Sequence, residues 1–257
     1  MQIGLIGCGN MARALARGWG RPVVCFDPVP GRAAELAGEV GGQTLASNIE
    51  VAQRAQLLVL AHKPAQLAQV AEELGEAASG RAIASILAAT KLENLRSAYP
   101  QSTVYRFLPS LPVEVRRGAV VEARGSGSPA GGEAGGSQID ESVRSLFAEL
   151  GTLVVLDEGL VDVAMGLMSC APAYVALVAE AQIDAGVRRG IPAAQGAELV
   201  VETLAGTAEL LRRRGYDTVA VRREVASPGG LTARGLDALE RGGVRAAFSD
   251  ALDAVLR

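Results

Sequence analysis

Ile3-Gly4-Leu5-Ile6-Gly7-Cys8-Gly9-Asn10-Met11-Ala12 opens the chain and decides its fold. The short apolar run Ile3 to Ile6 reads as a strand buried on both faces, and the stretch from Asn10 to Trp19 reads as a helix. Between them stands G-x-G-x-x-A. Its glycines allow a tight turn and bring the backbone close to a pyrophosphate resting on the helix's first N–H groups. Alone, the motif is weak evidence, and a glycine turn with no ligand is the other reading. Its context argues for a dinucleotide, because Asp27 follows Gly7 by about twenty positions, at the end of the next apolar run, Val23-Val24-Cys25-Phe26. A carboxylate there accepts hydrogen bonds from a ribose 2′-hydroxyl and repels a 2′-phosphate. The next side chain able to bind phosphate is Arg32. The reading leans toward NADH and leaves NADPH open.

Outward from this motif, short apolar runs alternate with amphipathic stretches. Helical sequence over 31–37 follows the second strand; Leu57 to Leu60, Ile83 to Ile86 and Val104 to Phe107 read as further strands. Continuous apolar strands in βαβα order predict a doubly wound parallel sheet of Rossmann type. This α/β domain is assigned to residues 1–155. Within it, 124–138 is so rich in glycine and serine that it reads as a mobile surface loop. Residues 156–257 read as all-helical. Helices are expected over 172–189 and 192–214, with proline near each start and Gly190 and Gly215 just past the ends. Both are apolar on more than one face (Val175, Leu177, Leu199, Val201), so they need cover on several sides. The choice lies between a compact monomeric bundle and a partner subunit, and the small size of this half favours a dimer.

The chain has 257 residues, 49% of them hydrophobic and 21% charged, a globular composition. A net charge of −3 with interspersed signs leaves no basic footprint for nucleic acid. No uninterrupted apolar stretch reaches the ~18 residues that cross a bilayer, so no membrane association is expected. Met1 to Leu5 run straight into a structural motif without a basic flank or cleavage site. Three cysteines, Cys8, Cys25 and Cys170, form no CxxC pair, which suits a reduced cytoplasmic protein. With His62 as the one histidine, neither a metal site nor a histidine-based triad is expected.

More specific sequence lies in the second half. Ala226-Ser227-Pro228-Gly229-Gly230-Leu231-Thr232 precedes a helix, and Leu239-Glu240-Arg241-Gly242-Gly243-Val244-Arg245 follows it. With Ile6 to Met11, Ala61-His62-Lys63-Pro64, Ser85-Ile86-Leu87-Ala88-Ala89 and Pro172-Ala173-Tyr174-Val175, this pattern resembles the pyrroline-5-carboxylate reductase family over nearly the whole chain. The resemblance implies reduction of a cyclic imino acid, 1-pyrroline-5-carboxylate, to proline by hydride from NADH or NADPH. It also implies an all-α C-terminal dimerisation domain interleaved with a partner's, with dimers assembling into decamers. By the same resemblance Asn48, Ala61, Lys63 and Ala88 line the cofactor, Asn48 on its adenosine side; they join Gly7, Gly9, Asn10 and Met11 of the glycine motif, Asp27 at the end of the second strand, and His62, which follows a buried strand and faces the cleft. Ser227 reads as an N-cap, and the backbone at Gly229, Gly230 and Leu231 as an anion site for the substrate carboxylate. Thr232, in the first turn, is the candidate catalytic residue, its hydroxyl placed to bond the ring nitrogen. An iminium substrate arrives already protonated, so positioning is the main task. Thr232 as a plain first-turn stabiliser is the bland alternative.

The pattern departs from the family at several places. Ser110 stands where the family has asparagine, Met168 and Ala171 where it keeps small residues, Leu231 where threonine or alanine is usual, and His62 where valine is usual. These admit a retuned pocket for another small cyclic imine, or a non-catalytic regulator that binds dinucleotide. His62 reads as a packing or cofactor contact rather than a proton donor. Cys170 reads as a small buried side chain, since imine reduction needs no nucleophile.

Overall fold

Apolar runs too short for helices become strands sealed from water on both faces. The computed structural model describes residues 1–127 and 134–257. Its strands are β1 (Ile3–Ile6), β2 (Val24–Phe26), β3 (Gln43–Thr44), β4 (Leu57–Leu60), β5 (Ala82–Ser85), β6 (Thr103–Pro109), β7 (Gly118–Ala123) and β8 (Gly151–Leu156). They form one sheet in the order β3-β2-β1-β4-β5-β6-β7-β8. The first six pair in parallel. Helices α1 (Asn10–Trp19), α2 (Arg32–Val40), α3 (Asn48–Arg54), α4 (Leu67–Leu74), α5 (Leu92–Ala98), α6 (Ala134–Ala148) and α7 (Glu158–Ala164) cover its two faces.

Alternation along the strands divides the core. Leu5, Val59, Ala84 and Phe107 point to one face, where Leu15 and Trp19 of α1 and Phe147 of α6 meet them. Ile6, Leu58, Ile83 and Val104 point to the other, under Val51 of α3, Leu74 of α4 and Leu95 of α5. Trp19 sits edge-on to Phe147 at 5.7 Å and its indole donates to the Leu146 carbonyl at 3.0 Å, so α1 and α6 are locked together.

The sheet departs from the expected all-parallel arrangement at one seam: β7 runs antiparallel to β6. A short 3-10 turn, Leu111–Val115, ends at Arg116 with φ +56° and reverses the chain. So short a connection permits only antiparallel pairing. The expected loop over 124–138 is also corrected in part. Gly127 donates to the Val104 carbonyl at 2.8 Å and Ser126 is buried, while α6 already begins at Ala134. The middle of that segment, 128–133, lies outside the described residues.

By compactness the chain divides into Met1–Cys170 and Ala171–Arg257, whereas sequence texture divides it after 155. Helix α7 makes the difference. Its Val161 and Ala164 are buried in the sheet's core. Arg106 of β6, only 2% exposed, binds Glu158 at 3.1 Å and Asp162 at 2.6 Å on that helix. After α7 comes a π-helical turn, Met165–Ser169, in which the Cys170 N–H reaches back to the Met165 carbonyl.

The C-terminal unit consists of α8 (Ala171–Val187), α9 (Ala193–Arg213), α10 (Thr218–Val225), α11 (Leu231–Arg241) and α12 (Val244–Leu256). Gly190 and Gly215 take positive φ, as their place after the helices requires. Within this unit Leu177, Leu199, Leu239 and Phe248 are each more than half exposed. Taken as a whole helix rather than as an uninterrupted apolar stretch, one segment among the described residues is long and apolar enough to cross a bilayer. The helical run Glu158–Val187 meets that test by length and composition, because small and aliphatic residues almost displace charge from it.

Two helical glycines make a matched test of close packing. A Cβ on Gly18 would collide with the Val113 carbonyl oxygen and lie 2.7 Å from Leu150, while one on Gly38 would meet nothing within 4 Å. Gly18→Ala is expected to cost about 1–3 kcal/mol in urea denaturation, and Gly38→Ala to gain about 0.5–1 kcal/mol from helix propensity. Equal and opposite assignment of the two would refute the packing account.

Candidate active site

The sheet's switch point lies between β1 and β4, and dinucleotides bind beyond the carboxyl ends of strands at such a point. Here the turn after β1 crosses hard against the chain leaving β4. Gly7 has φ +93°, and a Cβ on it would lie 2.8 Å from the Ala61 carbonyl carbon and oxygen and from the His62 nitrogen. Gly9 is the opposite case. As N-cap of α1 it is extended, and a Cβ there would meet nothing within 4 Å. No side chain caps α1, so its first-turn N–H groups face an open space with the helix dipole behind them.

Asp27 holds this turn. One of its carboxylate oxygens accepts from the Cys8 N–H at 2.7 Å and the other from the Val29 N–H at 2.8 Å. The side chain expected to meet a ribose therefore also ties the glycine turn to the end of β2. The Cys8 thiol is buried, and its hydrogen bond with Cys25, then burial, push its pKa up, so Cys8 is a packed residue and no nucleophile.

Gly7, Gly9, Asp27, Asn48, Ala61, His62 and Lys63 line a single cleft of about 370 Å³ with Arg32. Gln66, Gln69 and Glu73, which the sequence did not single out, complete its wall. Their signal was faint: Gln66 caps the turn after Lys63, its side chain accepting from the Lys63 N–H at 3.1 Å. Asn48, 6% exposed, starts α3 behind a Ser47 cap and donates from Nδ2 to Glu73 at 2.9 Å. Its Oδ1 is buried without a partner. His62 Nδ1 lies 2.9 Å from the Lys63 carbonyl, Nε2 is buried without a partner, and burial holds the imidazole pKa below its ordinary value. Unmet polar atoms, an uncapped helix start and the bare flank of Gly9 all fit a dinucleotide.

Asn10, Met11 and Ala88 stand apart from this cleft's lining. Asn10 and Met11 form the first turn of α1, Met11 half-buried against the core. Ala88 is exposed on the loop after β5, next to Ala89 with φ +52°. Ser110 is buried and its hydroxyl accepts from the Ala119 N–H at 2.9 Å, so it pins β7. Met168, half-buried, fills the core beside α7.

The remaining predicted residues lie in the C-terminal unit. Ser227 is not the N-cap. Its carbonyl accepts from the Gly230 N–H at 3.0 Å, closing a turn in which Gly229 takes φ +69°, and Gly230 caps α11. A Cβ on Gly230 would collide with the Ser227 hydroxyl. Leu231 and Thr232 open the helix, both exposed, and no side chain caps it. The N–H groups of that first turn are left without intrahelical partners.

A dinucleotide cleft at a sheet switch point, followed by a helical unit, defines an NAD(P)-dependent oxidoreductase. Residues 2–89 match the family model for NADP oxidoreductase, coenzyme F420-dependent, and residues 158–257 match that for pyrroline-5-carboxylate reductase dimerisation. A pyrroline-5-carboxylate reductase of Thermus thermophilus is 36% identical over 100% of this chain and 97% of its own. Pyrroline-5-carboxylate reductase 3 of Mus musculus is 32% identical over 98% and 93%. The Streptococcus pyogenes 1-pyrroline-5-carboxylate reductase superposes with a TM-score of 0.84 at 26% identity, over 99% and 96% of the two chains. A Plasmodium falciparum pyrroline carboxylate reductase with NADP bound gives 0.85 at 24%, over 99% and 95%. The chain belongs to the pyrroline-5-carboxylate reductase family.

Proposed function

We propose that this chain reduces 1-pyrroline-5-carboxylate to L-proline with NADH or NADPH, favouring NADH, as an obligate homodimer in the cytoplasm. The carrying observation is the unmet hydrogen-bonding capacity of the Asp27–Asn48–His62 cleft, in a chain whose second half is a dimerisation domain of this family. The bound nicotinamide supplies the hydride. The first turn of α1 holds the pyrophosphate, and Gly7 and Gly9 let the backbone approach it. Asp27 meets the ribose, with Ala61, Lys63 and Ala88 along the cofactor. Free N–H groups at Leu231 and Thr232 hold the substrate carboxylate, Ser227 and the glycines shape that turn, and the Thr232 hydroxyl orients the ring nitrogen. Among the described residues no His, Cys, Asp or Glu cluster suits a metal, and the reaction as proposed uses none.

Free thiols at Cys8, Cys25 and Cys170 support a reducing compartment. The half-exposed leucines of α8, α9 and α11 support the dimer, which the resemblance extends to a decamer. The departures around Ser110 and Met168 support a second reading, another small cyclic imine. A side-by-side assay of several cyclic imines with both dinucleotides decides between them.

Asp27→Ser is expected to raise the ratio of NADPH to NADH efficiency. Because the same carboxylate holds Cys8 and Val29, affinity for both falls, and the ratio is the diagnostic. An unmutated enzyme about tenfold better with NADPH, ~1.4 kcal/mol, would contradict the Asp27 account. Light scattering at micromolar concentration should give a dimer or a multiple of it, and a monomer refutes that part. Thr232→Ala should lower kcat by about ten- to hundredfold, one positioned hydrogen bond, with dinucleotide affinity kept. Ser227→Ala should act mainly on KM. A lower melting temperature with unchanged turnover would remove Thr232 from the site.

A further inference from the structure

Two residues that line the dinucleotide cleft, Asn48 and His62, each hold a buried atom, Oδ1 and Nε2, without a hydrogen-bond partner. Their chemistry is fixed by what their other ends do. His62 Nδ1 faces the Lys63 carbonyl oxygen at 2.9 Å, where only a donor is tolerated, so Nε2 carries a lone pair. Asn48 Nδ2 faces a Glu73 carboxylate oxygen at 2.9 Å, so its unmet oxygen is also an acceptor. A buried acceptor without a donor costs more than an ordinary hydrogen bond gains. Both therefore call for a donor, and the cleft is where one enters. The cleft lies at the end of β2, beside Asp27 and Arg32, where a ribose and its base are seated in this kind of fold.

We infer that His62 is a specificity-determining residue for the adenosine half of the dinucleotide, Nε2 accepting a hydrogen bond from an N–H or O–H of that half, with Asn48 Oδ1 as the second acceptor of the same wall. The inference rests on the dinucleotide reading of this cleft. Adenosine offers an amino group and ribose hydroxyls as donors, whereas a phosphate offers only acceptors at neutral pH. Valine, usual in the family at this position, has no atom for the task. A proton on Nε2 and the ligand's donor exclude one another. Binding thus favours the neutral imidazole, and affinity is full above the imidazole pKa and falls as pH drops through it. Burial sets that pKa below the ordinary histidine value. The other charged groups lining the cleft are Asp27 and Arg32 from the β2–α2 segment, Lys63 beside the histidine and Glu73 of α4. All four are retained in the His62 variants, so the difference between proteins isolates the imidazole.

Calorimetry of the full chain with ADP-ribose and with NADH, on wild type, His62→Val and His62→Gln, tests this, with melting curves to confirm folding. His62→Val should bind both ligands about tenfold more weakly, and His62→Gln, whose carbonyl still accepts, within about threefold of wild type. Between about pH 8 and about pH 5.5 wild-type affinity should fall more steeply than that of His62→Val. NADH with hypoxanthine in place of adenine separates the sources. If the amino group is the donor, the analogue weakens wild type and adds nothing to His62→Val; if a hydroxyl is, both proteins lose equally. A His62→Val protein that binds ADP-ribose as wild type does overturns the inference, since a buried water then satisfies Nε2. So does a His62→Gln protein as weak as His62→Val, which reduces the residue to packing. Wild type that binds neither ligand overturns the dinucleotide reading itself.

Discussion

Everything in the N-terminal unit is arranged around the closeness of two backbones, the turn at Gly7 and the chain leaving β4 at Ala61 and His62. At 2.8 Å from where a side chain would begin, that approach admits glycine alone. It draws β1 and β4 together at the switch point and carries Ala61 and His62 into the wall of the cleft. The turn cannot hold itself there, since glycines are the residues freest to leave a strained conformation. Asp27 supplies the restraint by accepting from Cys8 and Val29 at once. One carboxylate thus sets the shape of the glycine turn and places an acidic group in the lining of the cleft.

What was legible in the sequence was whatever depends on near neighbours. Strand β4 and helix α1 follow from local apolar pattern, and the glycine turn and Asp27 from spacing along the chain. Strand β7 escaped because it contains Glu122, which reads as exposed. It is buried, and Arg144 of α6 binds it across 22 positions of chain. Burial pushes the Glu122 pKa up and Arg144 opposes that shift. Helix α6 escaped because its first residues are glycines and serine. Val143, Leu146 and Phe147, further on, gain enough from burial against Trp19 and Phe107 to carry the helix back through them. Strand β8 had a signal, the run Leu153 to Leu156, but a half-exposed edge strand gives no hint of its partner. In the site, residue identities were legible and atoms were not. Ser227 reads as a cap by type, yet the cap is Gly230, because the positive φ at Gly229 bends the chain before the helix begins.

The C-terminal unit reverses the economy of the first. The sheet buries its apolar residues within one chain, while α8, α11 and α12 have none buried. Each of these exposed side chains gains at most about 1.5–3 kcal/mol if fully covered, so the four together are comparable with the usual margin of a small domain. That is why an aliphatic run long enough to cross a bilayer belongs, in this family, to a dimerisation domain. Apolar length states that cover is needed, and the surrounding sequence states which kind.

The departures from the family pattern separate on the same physical ground. Ser110 and Met168 have exchanged one role for another inside the unit, a hydroxyl that pins β7 and a thioether that fills the core beside α7. In this structure the contacts of both lie within the chain. His62 has no such exchange to show. Its Nδ1 is anchored by the next residue's carbonyl, which fixes the tautomer, and the same anchoring leaves Nε2 an acceptor with nothing to accept. A replacement that only packed would gain nothing from a polar atom in that place, since valine fills space without the cost of an unmet nitrogen. The histidine is therefore the departure whose unmet atom belongs to a residue lining the cleft.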